Sequence, residues 1–430
     1  EVHFLNGIAA TADDFGELKN GVWVAKDYEG LFDSAAETAL GHANGFHLTF
    51  EDDTEVEAFN TVLFDGVLSQ SRSVTGMGFK PDFLWIKARS TDYSHSLVDA
   101  VRGAGNTLIS NSTGVESNNN YITSFDSDGF TYGSTFAGNE DYVAWGWKAG
   151  GAPTVDNSAG AGNIPTAGSV KIDGVDSTSA LAGTIPATRL SASTTYGFSI
   201  VSYTGTGTTD TVAHGLSSAP DWMIFKNRDQ PDGWIVYHSS NTSTPAEKFL
   251  QLHTNGGTGD SANTFNDTEP TNSVFTVNTS PTVNAFEENY IAYCWAEKSG
   301  YSKFGSYTGN GSSTGPIIYT TDDGTAGGAN GFKPAFIIHK RISDSGGTAK
   351  SSDWWLQDNT RTVANGNENT LFANGSFDEW TDADGGGFAV DFLDNGFQLK
   401  DTSSVFNTSG DIYIYAAFAD TREAAFWLDQ

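Results

Sequence analysis

Gly78-Phe79-Lys80-Pro81-Asp82-Phe83-Leu84-Trp85-Ile86-Lys87-Ala88-Arg89 is the stretch that decides the fold class. Alternation along an extended chain sends Phe83, Trp85 and Lys87 to one face and Leu84, Ile86 and Ala88 to the other. Both faces are apolar over most of that length, which describes a central strand covered on both sides. Pro81 stands just ahead of it, where a missing N–H breaks no ladder, and Gly78 supplies the turn. Fifteen residues before Pro81 an apolar run ends in Leu63-Phe64-Asp65-Gly66. Downstream, Tyr142-Val143-Ala144-Trp145-Gly146-Trp147 has the same two-faced apolarity and is expected to pair near the first strand.

This order of cues returns twice. Ser202-Tyr203-Thr204-Gly205 leads after fifteen residues to Pro220-Asp221-Trp222-Met223-Ile224-Phe225-Lys226-Asn227-Arg228, and Tyr290 to Trp295 closes that unit. Ser306-Tyr307-Thr308-Gly309 leads, with ten extra residues, to Pro334-Ala335-Phe336-Ile337-Ile338-His339-Lys340-Arg341, and Tyr413 to Phe418 closes it. Midpoints align too, as in Asp128-Gly129-Phe130 with Asn395-Gly396-Phe397. The chain is therefore expected to be all-β, with three tandem β-sandwich, jelly-roll-like modules of about 90 to 120 residues, each of about six short strands.

The boundaries follow. Residues 1–58 are the end of an upstream β-domain plus a bridge, with a strand at Val2 to Leu5 and a helix N-cap pattern at Thr11 to Asp14. Repeat 1 spans 59–150, a Gly/Ala/Ser/Thr linker 151–193, repeat 2 194–299 and repeat 3 300–420; residues 421–430 begin a further segment. Three modules in a row are expected, with the second and third packed rigidly because almost no linker separates them. Glu1 in place of Met reads as a fragment or processed product.

Composition narrows the function classes. Glycine at 49 and aromatics at 13% suit short strands and turns. A net charge of −31 repels phosphate backbones and anionic membrane surfaces, so neither nucleic acid nor membrane insertion is expected. The single Cys294 lies in an apolar run and admits no intrachain disulfide or Cys-based metal site. The eight histidines are scattered without ligand spacing, and there is no Gly-x-Ser-x-Gly elbow, Walker loop or dinucleotide fingerprint, so no enzyme, cofactor or metal site is expected.

Several residues invite a sharper reading. The pairs Lys87/Arg89, Lys226/Arg228 and Lys340/Arg341 could hold an acidic sugar, although pairing with carboxylates of the same module is the expectation. Asp126-Ser127-Asp128-Gly129 and Asp382-Ala383-Asp384-Gly385 open like calcium loops but lack the remaining ligands, and turn-forming Asp explains them better. Glu51, Asp52, Asp53, Glu55 and Glu57 read as a solvated acidic edge. Trp234 and Trp355 occupy matching strand positions and are assigned to the core. Trp354 and Trp380, in polar surroundings, are the candidates for stacking on a sugar ring.

The Gly78 to Lys87 block, the Ser110-Asn111-Ser112-Thr113 turn, Phe125 to Phe130 and the run from Tyr142 to Gly151 resemble an uncharacterised repeat domain of structural proteins from tailed bacteriophages. There the domain usually follows a laminin-G-like or concanavalin-like sandwich; Glu1 to Gly7 resembles that sandwich's last strand, and Val22 to Phe50 the usual bridge. The resemblance implies an extracellular virion component, a tail fibre or surface adhesion protein. Its expected partners are copies of itself, as a trimer, other virion proteins and a host-surface glycan. The competing class is a carbohydrate-binding or glycan-hydrolysing module of a secreted bacterial protein.

Overall fold

The computed structural model describes residues 2–4, 16–19, 22–25, 46–48, 58–136, 138–158, 160, 162–344, 346–361, 369–381, 389–400, 402 and 406–419. Two compact units divide the chain, residues 1–55 with 424–430, and residues 56–423. In the first, Val2–Phe4 pairs antiparallel with Phe46–Leu48, and Gly16–Lys19 forms a hairpin with Val22–Ala25. The first strand thus has a partner in Phe46–Leu48. The helix cap at Thr11 to Asp14, the acidic run from Glu51 to Glu57, the loop at Asp382 to Gly385 and the segment 421–430 lie outside the described residues.

In the larger unit the three repeats share one strand order. Repeat 1 has a sheet ordered Phe59–Asp65, Asp141–Trp147, Phe83–Ala88, Ser96–Asp99, that is, opening, closing, proline-led and following strand. Repeat 2 repeats it with Phe198–Thr204, Asn289–Trp295, Trp222–Asn227 and Ile235–His238, and repeat 3 with Ser302–Thr308, Ile412–Ala419, Pro334–Ser343 and Trp355–Asp358. Register fixes the equivalences: Trp85 lies between Trp145 and Leu97, Ile224 between Tyr293 and Val236, and Ile338 between Ala416 and Leu356. Pro81, Pro220 and Pro334 therefore introduce equivalent strands.

A second, smaller sheet covers one face of each main sheet. In repeat 1 it is Ile122–Asp126, Gly129–Tyr132 and Arg72–Thr75, and Val74, Ile122 and Phe130 meet Leu84, Ile86 and Ala144 between the layers. In repeat 3 it is Ile317–Tyr319, Gly396–Leu399 and Val390–Leu393. Gly129 and Gly396 hold positive φ, and a Cβ on either would meet the Val74 or Ile318 carbonyl oxygen at 2.1 Å. The aligned Gly-Phe midpoints are thus a steric requirement.

The other face of each main sheet turns toward the other two repeats. Trp147 lies 6.1 Å from Trp295 and 5.5 Å from Phe418, ring to ring, and Trp222 lies 6.3 Å from Phe304. Each repeat thus touches both others, and the modules close into a ring, correcting the expected row. The cause is the two-faced apolarity of the proline-led strands: the small sheet covers one face, and the second is buried only against a neighbouring repeat.

The segment 151–193, read as an extended linker with one strand-like island at Ser169 to Ile172, carries that strand and, beyond it, Arg189–Ser193. Val170–Ile172 and Arg189–Ser193 join repeat 2's main sheet, with Leu190 and Ala192 buried, because the opening strand of repeat 2 offers an edge that alternating apolar residues can cover.

Candidate functional site

The joints between repeats absorb most of the residues that the sequence singles out. Two positions before the residue that faces Trp85, Ile224 or Ile338 on the following strand stand His95, Trp234 and Trp354. His95 Nε2–H donates to Phe372 O at 2.8 Å, Trp234 Nε1–H to Ile109 O at 2.9 Å, and Trp354 Nε1–H to Gln251 O at 2.9 Å. Repeat 1 thus grips repeat 3, repeat 2 grips repeat 1, and repeat 3 grips repeat 2. Trp85 Nε1–H donates to His95 Nδ1 at 2.8 Å, which holds the imidazole as the neutral Nε2–H tautomer, and burial pushes its pKa down to about 3.

Trp354, the first candidate for sugar stacking, is one of these clamps. It is 2% exposed, with the Lys340 ammonium 5.2 Å from its ring centroid, so no sugar reaches it. Its polar neighbours in sequence are turn residues, while the indole itself crosses into repeat 2. Trp380 remains at the surface: half-buried, edge-on to Phe372 at 4.9 Å and beside the exposed Phe377.

A second set of equivalent positions carries charge in two joints. Asp99 caps its own turn through the Val101 and Arg102 N–H groups, pairs with Arg102 and accepts the Tyr293 hydroxyl of repeat 2 at 2.8 Å. Asp358 caps the Thr360 and Arg361 N–H groups, pairs with Arg361 and accepts Trp145 Nε1–H of repeat 1 at 3.0 Å. All four charged side chains of these two ion pairs are 0% exposed. Each arginine also reaches a glutamate, Arg102 to Glu116 and Arg361 to Glu379, which receives a forked guanidinium from the neighbouring repeat, Arg228 or Arg89. Burial alone would raise the Glu116 carboxyl, but the Arg228 hydrogen bonds and the Arg102 charge hold it below its ordinary range.

The third joint, between repeats 2 and 3, is neutral at the same positions. His238 caps its turn by accepting Ser240 N–H on Nδ1 and donates Nε2–H to Tyr415 O at 3.0 Å. Asn241 and Thr258 replace the arginine and glutamate and bond to each other at 2.8 Å, and Ile342 stands where the incoming arginine would be.

The expectation for the basic pairs is corrected accordingly. Arg89 and Arg228 pair across repeats, whereas Arg341, one residue earlier in its strand, pairs within its own with Asp411. The three lysines are buried and donate to backbone carbonyls, Lys87 to Ala88 and Thr91, Lys226 to Asn227 and Gln230, Lys340 to Ser352. Burial pushes their pKa values down to about 8, 8 and 7 respectively.

The Asp126 to Gly129 turn is held by protein groups. Asp126 accepts the Thr131 and Ser124 hydroxyls at 2.7 Å, and Asp128 accepts the Gly76 and Gly78 N–H groups at 3.0 and 2.7 Å. Among the described residues, no three His, Cys, Asp or Glu side chains gather as metal ligands would.

An open surface groove lies in repeat 3. The groove, of about 430 Å³, follows the opening strand from Lys303 to Thr308 and is walled by Pro316 to Tyr319, Asp322 to Gly324 and Tyr415. The ten extra residues of repeat 3 fall in this region, between Gly309 and Pro334. Lys303 anchors one end, donating to Glu297 at 2.7 Å and to Asp322 O at 2.8 Å.

A family model described as a domain of unknown function, DUF7483, matches residues 54–175 and again 171–422. The chain belongs to that family. The first DUF7483 match spans repeat 1 and runs to the Val170–Ile172 strand; the second begins on that strand and spans repeats 2 and 3. Among curated proteins, none matches this DUF7483 chain.

Proposed function

We propose that the chain is a structural and adhesive component of a bacteriophage particle, a tail fibre or surface protein that makes multivalent contact with host-surface glycan. The observation that carries the structural half is the closed ring: buried ion pairs and aromatic clamps at the joints lock three sandwiches into one body. Such a body suits load-bearing and display more than conformational work. The motif resemblance at Gly78 to Lys87 and Tyr142 to Gly151 supports the virion setting. The adhesive half rests on Trp380 and Phe377, whose rings form a surface ladder over Phe372. In this reading copies assemble as a trimer, so that weak contacts add up.

The test is a glycan array probed with the parent chain and with Trp380→Ala. Binding to at least one glycan that is lost in the variant is expected, and an empty array would remove the adhesive role. Light scattering reads the oligomeric state, and a density map of particles would show where and with what symmetry the chain sits.

A further inference from the structure

Repeat 2 shows how this fold finishes its open side. Its opening strand Phe198–Thr204 is paired antiparallel by Arg189–Ser193, with Arg189 opposite Ser202 and Leu190 opposite Val201. Slightly earlier the same segment reaches the small sheet, where the Thr184 and Ile185 N–H groups both donate to Thr211 O at 2.9 Å. Ile185, Ala187, Leu190 and Ala192 thereby plug the gap between the two sheets and are all buried.

Among the described residues, repeat 3 presents the same two edges without such a segment. Ser302–Thr308 pairs with Ile412–Ala419 and, beyond that, makes among the described residues a single bridge from Ser302 to Lys298, while Ile317–Tyr319 pairs there only with Gly396–Leu399. The groove runs between these two edges. Phe304 N–H points to the open side, where Glu297 Oε2 accepts it at 3.2 Å, so alternation turns the Ser306 and Thr308 N–H groups the same way. Ser306 is the counterpart of Ser202, two residues beyond the position that pairs with Ala416 in one repeat and Tyr293 in the other. Ser306 and Thr308 are exposed, as are Ile317 and the rim carboxylates Asp322 and Asp323.

We propose that this groove is a strand-acceptor site, which binds an extended segment of a partner protein as repeat 2 binds residues 183–193 of its own chain. Backbone pairing with Ser306 and Thr308 supplies affinity. Small or apolar side chains fill the groove, and a basic residue, placed as Arg189 is opposite Ser202, lies near the Asp322 and Asp323 rim. Exposed edges are otherwise a hazard that folds cover or blunt, and here the fold itself displays the cover that fits. The inference rests on the comparison of two repeats and is independent of the adhesive reading.

The probe is a synthetic peptide of residues 181–195, labelled and titrated into the full chain by fluorescence anisotropy. Repeat 2 already holds its own copy of this segment, and because Phe59–Asp65 of repeat 1 is also a sheet edge among the described residues, substitutions in the groove assign the binding to repeat 3. Saturable binding is expected, weakened about tenfold or more, or ~1.4 kcal/mol, by Ser306→Pro, which removes one outward N–H. Ile317→Glu, which places a charge on the exposed groove wall, is expected to weaken it similarly, and thermal unfolding of both variants should match the parent. Absence of saturable binding, or equal binding by the parent and both properly folded variants, would overturn the proposal. So would a concentration-dependent dimer that both variants abolish while the peptide fails to bind, since a second copy would then be the occupant. A glycan that Ile317→Glu releases while peptide binding is untouched would equally overturn it.

Discussion

The joint between repeats 1 and 2 and the joint between repeats 2 and 3 use the same backbone positions and opposite chemistry. The first buries Asp99 and Arg102 and braces them with Glu116, Arg228 and Tyr293; the second places His238, Asn241, Thr258, Ile342 and Ala416 at the equivalent positions. What both keep is the turn cap and the indole N–H to carbonyl bond across the joint. Geometry is therefore common to the joints and charge is optional, which agrees with the small net worth of buried ion pairs against neutral replacements. Removing half of a pair is a different matter, since a buried charge is then left alone.

The largest way to break the comparison is Asp358→Ala or Asp99→Ala. Either should cost ~3–5 kcal/mol of stability, read as a lower urea midpoint, because the partner arginine stays fully buried without its carboxylate. Removing Glu379 as Glu379→Gln, where Arg89 is partly solvated, should cost about 2 kcal/mol on the same measurement. At the neutral joint His238→Ala, which removes both the turn cap and the bond to Tyr415 O, should cost about 2 kcal/mol in thermal or urea unfolding, and Trp354→Phe, which removes one hydrogen bond to a carbonyl, about 1 kcal/mol. A larger loss there than at Asp358 would invert the ranking.

The two kinds of joint also separate along pH. Glu116 has a lowered folded pKa, so its contribution is present above an unfolded value of about 4.3 and is lost as pH falls through the folded value. Lys340, beside Trp354 in the neutral joint, has a folded pKa pushed down to about 7 against an unfolded value of about 10.4. The unfolded chain binds the extra proton between those values, so stability rises with pH from about 7 to 10. Lys340→Met should lower that rise, most clearly between about 7 and 8, because Lys87 and Lys226, pushed down to about 8, still contribute above it, and should leave the acid limb unchanged; urea titrations across pH check both.

The repeat was legible because its signal is local. A proline at a fixed distance from a turn, an alternating strand and a Gly-Phe midpoint are each set by neighbouring backbone, as at Pro81, Pro220 and Gly129. Ring closure was not legible, because Phe83 and Leu84 are equally apolar and nothing local says which face meets the small sheet and which meets another repeat. Trp354 misled for a related reason: Ser352 and Asp353 make its surroundings polar in sequence, while its partner Gln251 lies in another repeat. Aligning His95, Trp234 and Trp354 by their offset from the following strand would have marked all three as one structural column. The linker hid its strand because Leu190 and Ala192 are diluted by Ser and Thr, whereas the extra residues of repeat 3 did announce themselves by length.

The bond from Trp145 to Asp358 joins residues 213 positions apart, and the strand that completes repeat 3 ends at Ala419. During synthesis the ring cannot close until the closing strand of repeat 3 has left the ribosome. Repeats 1 and 2 must wait with one aromatic face each uncovered toward the missing third, at elongation rates of ~5–20 residues per second. The most aggregation-prone species of this protein is then a nascent or truncated two-repeat chain, and expression yield should fall sharply for any version that stops before the closing strand of repeat 3.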